Sequence, residues 1–571
     1  MVSRRLLTGA TFWAGPECRP RRGWLLVAGG TVEALGDQDG GRPPADEVVS
    51  LPGCHVLPGF VDVHLHLTQA AWFGHGCDGS AWQSLAEALR AISAAATAEP
   101  ASGPEAGWLL VWGVARWRWP EGRLPTAAEL DRAAPGRLVL VSTADMHRGA
   151  VSSAALAALG LDGQRAREFG ADVTRDRRGR PTGELWEAAY AVALQHALTS
   201  LAGGRTPTAD DGQVQAVLAA EARRCLRLGI THAHDPYVPP GWHHHMAALR
   251  ASVPLRLSWA TGSPAGMHCR PPGPGEAPGG SYGEAPAEVK LFADGGDRCA
   301  LRLPPRAVAG LAAGAVSESA RLRALGPLRE AARRKLAVGP GGLRTPYLRY
   351  TDAELAALAG PYLDAGVRLR IHALGNLAGE QAARVLRTVG APPGAATIDH
   401  LLVCDPATAE LVASTGAAVS YQPGFLPRYA DMLTGTRIDR YTAVLGGQLL
   451  LQAWIPLAIS SDHPPGEADP LHNLRCAVHR DLQPGQALTR EEAVRAYTVT
   501  AAASLNAPGR GGLAPGQAAD LVICDGDPFQ EGTRVTQTWI AGQIAWPQPA
   551  QAAAPGLSPD RPAHQPEGEP P

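Results

Sequence analysis

Lysine is nearly absent from this chain: of its 52 basic residues only Lys290 and Lys335 are lysine, and arginine supplies the rest. With alanine, glycine and proline all abundant, the shift reads as coding bias and not as a nucleic-acid-binding device. Cysteine is equally uninformative as a framework. The nine cysteines are odd in number, scattered from Cys18 to Cys524 and never spaced as CxxC, which excludes a disulfide scaffold and a zinc ribbon. Long apolar runs are missing too. Stretches such as Gly107–Ala115 fall far short of the ~20 residues that span a bilayer. Arg4 and Arg5 are followed by Thr8, Gly9 and Thr11 before any apolar signal-peptide core forms, so the chain reads as cytoplasmic. Net charge is only −2, which offers no basic field to nucleic acid or an anionic membrane surface.

What is present is a foldable, multi-part chain. With 571 residues, 45% hydrophobic and 19% charged, it can bury a large core and is not disordered. Its 66 glycines and 50 prolines predict short helices and frequent loops.

Both ends read as β structure. Trp24–Ala28, Thr31–Leu35 and Val48–Leu51 precede residue 56, and Asp520–Cys524, Val535–Ile540 and Gln543–Ala545 follow residue 505. Neither set has enough strands to bury a face alone, so residues 1–56 and 505–546 are expected to share one small β-sandwich. Residues 547–571 are Pro-, Ala- and Gln-rich and read as a disordered tail.

Between these ends, residues 57–504 alternate strand and helix. Thr351 and Glu354 form a capping box ahead of the apolar stripe Leu355, Leu358 and Tyr362, and a strand then ends at His372. Further strands end at His400, near Gln422 and at Asp462. Phe60–His64, Ile230–Asp235, Leu255–Ala260 and Glu288–Ala293 supply four more. Eight such units predict a TIM-type (β/α)8 barrel of the α/β class, with residues from about 68 to 205 inserted after its first strand.

The chemistry lies at the strand ends. His64-Leu65-His66 places two imidazoles two residues apart, so on a strand both point one way. Alone this is a weak signal. His372, His400 and Asp462 each close a different strand, however, and such ends converge on one mouth of a barrel. Four histidines and a carboxylate suit Zn²⁺, with Mn²⁺, Fe²⁺ or Co²⁺ as alternatives. Lys290 stands out separately: in a chain that has almost no lysine it suggests a requirement that guanidinium cannot meet, since only a deprotonatable amine can add CO2 to form a carbamate. The alternative is a buried lysine paired with Asp294 or Glu288.

These motifs, running in order from Leu57–His66 through Ser142–His147, Gly229–Asp235, Val289–Gly295, Ile371–Asn376, Ile398–His400 and Ser460–Pro464 to Leu513–Asp527, resemble the amidohydrolase superfamily. Within it they resemble the YtcJ-like branch, the third amidohydrolase family. The resemblance covers about residues 1–545. It implies a metal-bearing barrel that hydrolyses a non-peptide C–N bond in a small molecule, an amide, N-acyl, N-formyl or cyclic amide. It also implies that His64, His66 and Asp462 hold a buried metal, that His372 and His400 hold a second, and that Lys290 is the carboxylated bridge. Two positions depart from the family pattern. Asn376 stands where relatives carry aspartate, and Asp399 precedes His400 where relatives carry glutamate.

On this reading one or two divalent ions activate water, and Asp462 shuttles its proton to the departing amine. A lone helix-capping role for Asp462 ahead of Pro464 is the plainer alternative. An ester or lactone hydrolase on the same site is the runner-up, and a barrel without catalysis the third. His147, in Asp145-Met146-His147, and Arg298 are weaker candidates for substrate binding. The run His243-His244-His245 reads as a helix surface, because consecutive helical residues face different ways. His463, His472 and His479 read as core or surface histidines, and Trp112, Trp117 and Trp119 as pocket walls or plain packing. A homodimer stays open.

Overall fold

The computed structural model describes residues 3–74, 76–98, 107–201, 211–262, 267, 281–282, 285–321, 328, 336–339, 342–430, 433 and 438–547. The tail expected from residue 547 lies, beyond that first residue, outside the described residues, as does Lys335.

Eight strands follow one another in chain order around one sheet. They are β1 (Phe60–Asp62), β2 (Ile230–Val238), β3 (Arg256–Thr261), β4 (Glu288–Phe292), β5 (Arg368–Ala373), β6 (Ala396–His400), β7 (Ala418–Tyr421) and β8 (Leu457–Ile459). Every neighbouring pair is parallel. The seam between β8 and β1 is drawn together just beyond the strands. There the Asp462 N–H donates to the His64 carbonyl at 2.7 Å, and the Ser461 N–H to the Asp62 carboxylate at 3.1 Å. This is the expected (β/α)8 barrel.

Period-2 alternation explains the two faces of its wall. Val289, Leu291, Leu369, Ile371, Ile398 and Val419 are buried in one cluster with residues of the surrounding helices. Full burial of each large aliphatic side chain there contributes about 1.5–3 kcal/mol. The helix Asp352–Asp364 starts at the Thr351–Glu354 capping box and buries Leu355 and Leu358, and the helix Pro406–Ala413 is capped by Asp405. The intervening residues are polar. Glu288, Lys290, Arg370, Thr397, Asp399 and Ser420 are all buried, so the barrel interior is an ion-pair and hydrogen-bond stack.

The two ends of the chain share a second eight-stranded sheet. Its clasp is the strand His55–Pro58, which pairs parallel with Arg4–Ala14 and antiparallel with Leu521–Cys524. Arg4–Ala14 has no counterpart among the strands expected from sequence. Its register shifts between Thr8 and Thr11, where Gly9 has φ 80°, and that bulge breaks the alternation on which the expectation rests. From the clasp the chain passes through Gly59 directly into β1. A Cβ at Gly59 would lie 2.3 Å from Thr231 Oγ1, so only glycine fits.

Between β1 and β2, strands from Cys77–Asp78 to Pro181–Trp186 form a separate six-stranded sheet. Its turn after Val139–Thr143 reaches the barrel, where Tyr429 Oη donates to the Ala144 carbonyl at 3.2 Å. Among the described residues, no helix is long and apolar enough to cross a membrane.

Candidate metal centre

The C-terminal ends of the barrel strands deliver one cluster. β1 ends at Asp62, two residues earlier than the alternation predicts, so His64 and His66 lie in the turn that enters the helix Leu67–Phe73. Both imidazoles nevertheless converge. His64 Nε2 and His66 Nε2 each lie 3.2 Å from Asp462 Oδ1. That oxygen is buried and has no partner of hydrogen-bond geometry. Two ligands at about 2.05 Å from a tetrahedral ion stand about 3.3 Å apart, so the spacing and the unsatisfied oxygen fit a shared cation.

His64, His400 and Asp462 form a group whose ligand atoms all lie within 4.8 Å of one another. The rings of His372 and His400 are 4.7 Å apart between centroids, and His372 Nε2 is another buried atom without a hydrogen-bond partner. Local backbone shape helps to place these groups. His400 and Asp462 both have left-handed conformations, with φ of 74° and 51°. Such non-glycine strain concentrates at functional positions. Asp462 caps no helix, since the next one begins at Pro470 and its cap is Asp469.

Beneath the cluster, Asp399 gathers the buried charges. Its Oδ1 lies 3.0 Å from His64 Nδ1 and accepts from Arg370 at 2.8 Å, while Oδ2 accepts from Lys290 Nζ. Arg370 also donates to Glu288 at 2.8 Å. Lys290 is therefore paired with Asp399. Asp294 instead accepts the backbone N–H groups of Leu374, Gly375 and Ala300, fixing the turn after β5.

The electrostatics follow from burial set against these pairs. Burial alone would raise Asp399, but His64, Lys290 and Arg370 hold it well below the usual carboxylate range. Asp462 is likewise kept ionised against burial, chiefly by His64. Burial pushes Lys290 down toward the neutral amine, with Asp399 pulling the other way. Burial lowers His400 to about 3 and His372 far below its ordinary value, so both are neutral imidazoles with lone pairs to offer.

Two positioning groups escaped the sequence reading. Gln422 Oε1 lies 3.0 Å from His400 Nδ1, and its amide nitrogen donates to Ser420 and Ser460 at 2.8 and 2.9 Å. With the amide oriented by two hydroxyls, His400 carries its proton on Nδ1 and leaves Nε2 as the donor atom. Gln422 immediately follows β7, the same strand-end signal that marks the other residues. Glu187 is the second. It holds His147 Nδ1 at 2.7 Å, and nothing in its sequence context announces it.

His147 does reach the site from the inserted sheet. Its ring stands 5.0 Å from that of His372, and although burial opposes its charge, Glu187 raises it to about 9. Arg298 goes elsewhere. It donates to Asp172 at 2.6 Å, lies over Trp186 and is absent from the described cavity lining. The run His243-His244-His245 opens the helix His243–Ser252 as expected, but it is not all surface. His245 is buried against Trp242, and His243 Nε2 meets Thr261 Oγ1 at 3.1 Å. His463 Nδ1 bonds the Gly466 carbonyl at 3.1 Å, a structural contact in the turn after Asp462.

A family model described as the amidohydrolase family matches residues 47–545. The chain is 24% identical to the N-substituted formamide deformylase of Arthrobacter pascens, over 91% of this chain and 94% of that one. It is 28% identical to the YtcJ amidohydrolase of Bacillus subtilis (strain 168), again over 91% and 94%. Among solved structures, an uncharacterized metal-dependent hydrolase from Pyrococcus horikoshii OT3 shares the fold, with TM-score 0.63 and 21% identity over 92% of this chain and 98% of that one.

Proposed function

The chain belongs to the amidohydrolase family and is a hydrolase acting on carbon–nitrogen bonds, and from that premise we propose that it cleaves a non-peptide amide of a small molecule with divalent metal at the barrel mouth. The observation that carries this reading is the buried, unsatisfied Asp462 Oδ1 facing two imidazole nitrogens at 3.2 Å. His64, His66 and Asp462 would hold one ion. His372 and His400 would hold another, with Lys290, as its carbamate, between them. The nitrogen and oxygen donors suit zinc first, then manganese, iron or cobalt. A divalent ion held by these residues would supply a lowered water pKa, toward ~7, and a Lewis acid for the carbonyl.

The side chains supply the rest. Asp462 is ionised, so it can take the proton of the attacking water and pass it to the departing nitrogen, which cannot leave as an amide anion. Asp399 and Gln422 orient His64 and His400 from behind. His147, clamped by Glu187, faces the cavity beside His372, which supports a role for it as donor to a substrate oxygen. Incubating zinc- or manganese-loaded protein with N-acyl, N-formyl and cyclic amides, and with the matched esters, tests the reading. Amine release faster than alcohol release supports it, and ester cleavage alone would replace it with the esterase reading.

A further inference from the structure

The cavity over the metal centre has two lobes, and both open onto Asp145, His147, His372, His400 and Asp462. One lobe, of about 870 Å³ including its mouth, is walled by Leu194, Leu198, Tyr237, Trp242 and Phe292. The other, of about 1080 Å³, is walled by Leu301, Leu374, Leu402, Phe425 and Ile438. The reacting centre therefore lies between two apolar chambers and not at the end of one.

Charge on the walls narrows the ligand further. The carboxylates among the described lining residues are Asp145, Asp297 and Asp462, and His147 is the cationic side chain beside the ligand set. His147 already faces Glu187, and Lys290, which faces Asp399, would be an anion as its carbamate. Among the described lining residues an anionic substituent would find no spare side-chain counter-charge in a desolvating chamber, which is costly.

Resting on the amide-hydrolase reading above, we propose that the substrate is an uncharged secondary amide with an apolar group on both its acyl and its amine side, one group in each lobe. In the reaction the carbonyl carbon gains the oxygen of water, the C–N bond breaks, and the nitrogen leaves with the water proton. The products are an apolar carboxylic acid and an apolar amine. A formamide would leave one lobe vacant, and an N-acyl amino acid would bring a carboxylate into it.

Four probes separate these cases: N-benzyl-2-phenylacetamide, N-benzylformamide, N-methyl-2-phenylacetamide and N-phenylacetylglycine. Binding is read by calorimetry on the full chain carrying Asp462→Asn, and kcat/KM on the metal-loaded native chain. The two-sided amide is expected to exceed each one-sided amide by at least roughly tenfold in both readouts, and the charged amide to be the weakest, since apolar pockets discriminate by about 10–200-fold per small group. Leu194→Trp should weaken one of the one-sided amides and Leu402→Trp the other. If either variant does not fold, the native series alone decides. N-benzylformamide turned over as well as the two-sided amide would overturn the proposal and leave the hydrolase reading intact. The expected binding order without amine release would instead overturn the hydrolase reading and leave the two lobes standing.

Discussion

Asp399 Oδ1 lies 3.0 Å from His64 Nδ1, and both side chains are almost wholly removed from solvent. The same carboxylate also accepts from Lys290 and Arg370, so one buried anion faces three groups that are cationic when protonated. Asp399→Asn leaves Lys290 and Arg370 without their shared charge partner. The expected cost is about 3–5 kcal/mol of stability, as for a broken buried ion pair. Metal affinity should fall by roughly 10–100-fold, because His64 loses the carboxylate behind it. Thermal unfolding and metal titration check the two effects separately, and wild-type values in both would show that Asp399 holds nothing in place.

Asp462→Asn keeps the volume of the side chain but removes the proton acceptor. Turnover of an amide should fall by at least ~10²-fold, the scale of general acid–base contributions. Measuring metal content alongside the rate separates proton transfer from ligation. Near-normal turnover would take Asp462 out of the chemistry.

Lys290→Arg tests the amine itself. Arginine can still pair with Asp399, but it cannot form a carbamate. Up to two ions are expected in the native protein, with loss of one or both in Lys290→Arg and in Lys290→Ala. A short carboxylic acid with bicarbonate should partly restore Lys290→Ala. Unchanged metal content and rate in Lys290→Arg would exclude the carbamate bridge.

Stability should fall in mild alkali because of His147. Burial opposes its charge, yet Glu187 raises the folded-state value to about 9, against about 6.5 in an unfolded chain. The folded state thus binds this proton more tightly. The stabilisation is full below pH ~6.5 and is lost as pH rises to ~9, by up to about 3 kcal/mol. Unfolding midpoints across that window should decline in the native protein and flatten in Glu187→Gln. A native profile without that decline would show that His147 does not titrate with Glu187.

Much of the candidate site was legible because a barrel brings its strand ends together. His372, His400 and Asp462 could each be read as the last residue of a short alternating segment, and the capping box at Thr351 and Glu354 fixed where one intervening helix begins. What escaped was what lies across strands. The pairing of Lys290 with Asp399 joins residues 109 positions apart, and no local period encodes it. Arg368 and Arg370 interrupt an apolar strand without announcing that they face Glu288 inside the barrel. Glu187 acts on His147 from within the insertion, and the His147 ring then meets His372 at the barrel mouth. Arg298 matched a sequence pattern, yet it braces that insertion through Asp172.

Removal and return of metal decide whether the barrel mouth works through a bound cation. The full chain is stripped with a chelator, metal is quantified, and amine release from an amide is followed before and after Zn²⁺ or Mn²⁺ is added. The stripped protein is expected to be inert and stoichiometric metal to restore the rate, because the paired imidazoles and Asp462 Oδ1 would hold the cation. Full activity in a preparation shown to be metal-free would contradict that expectation.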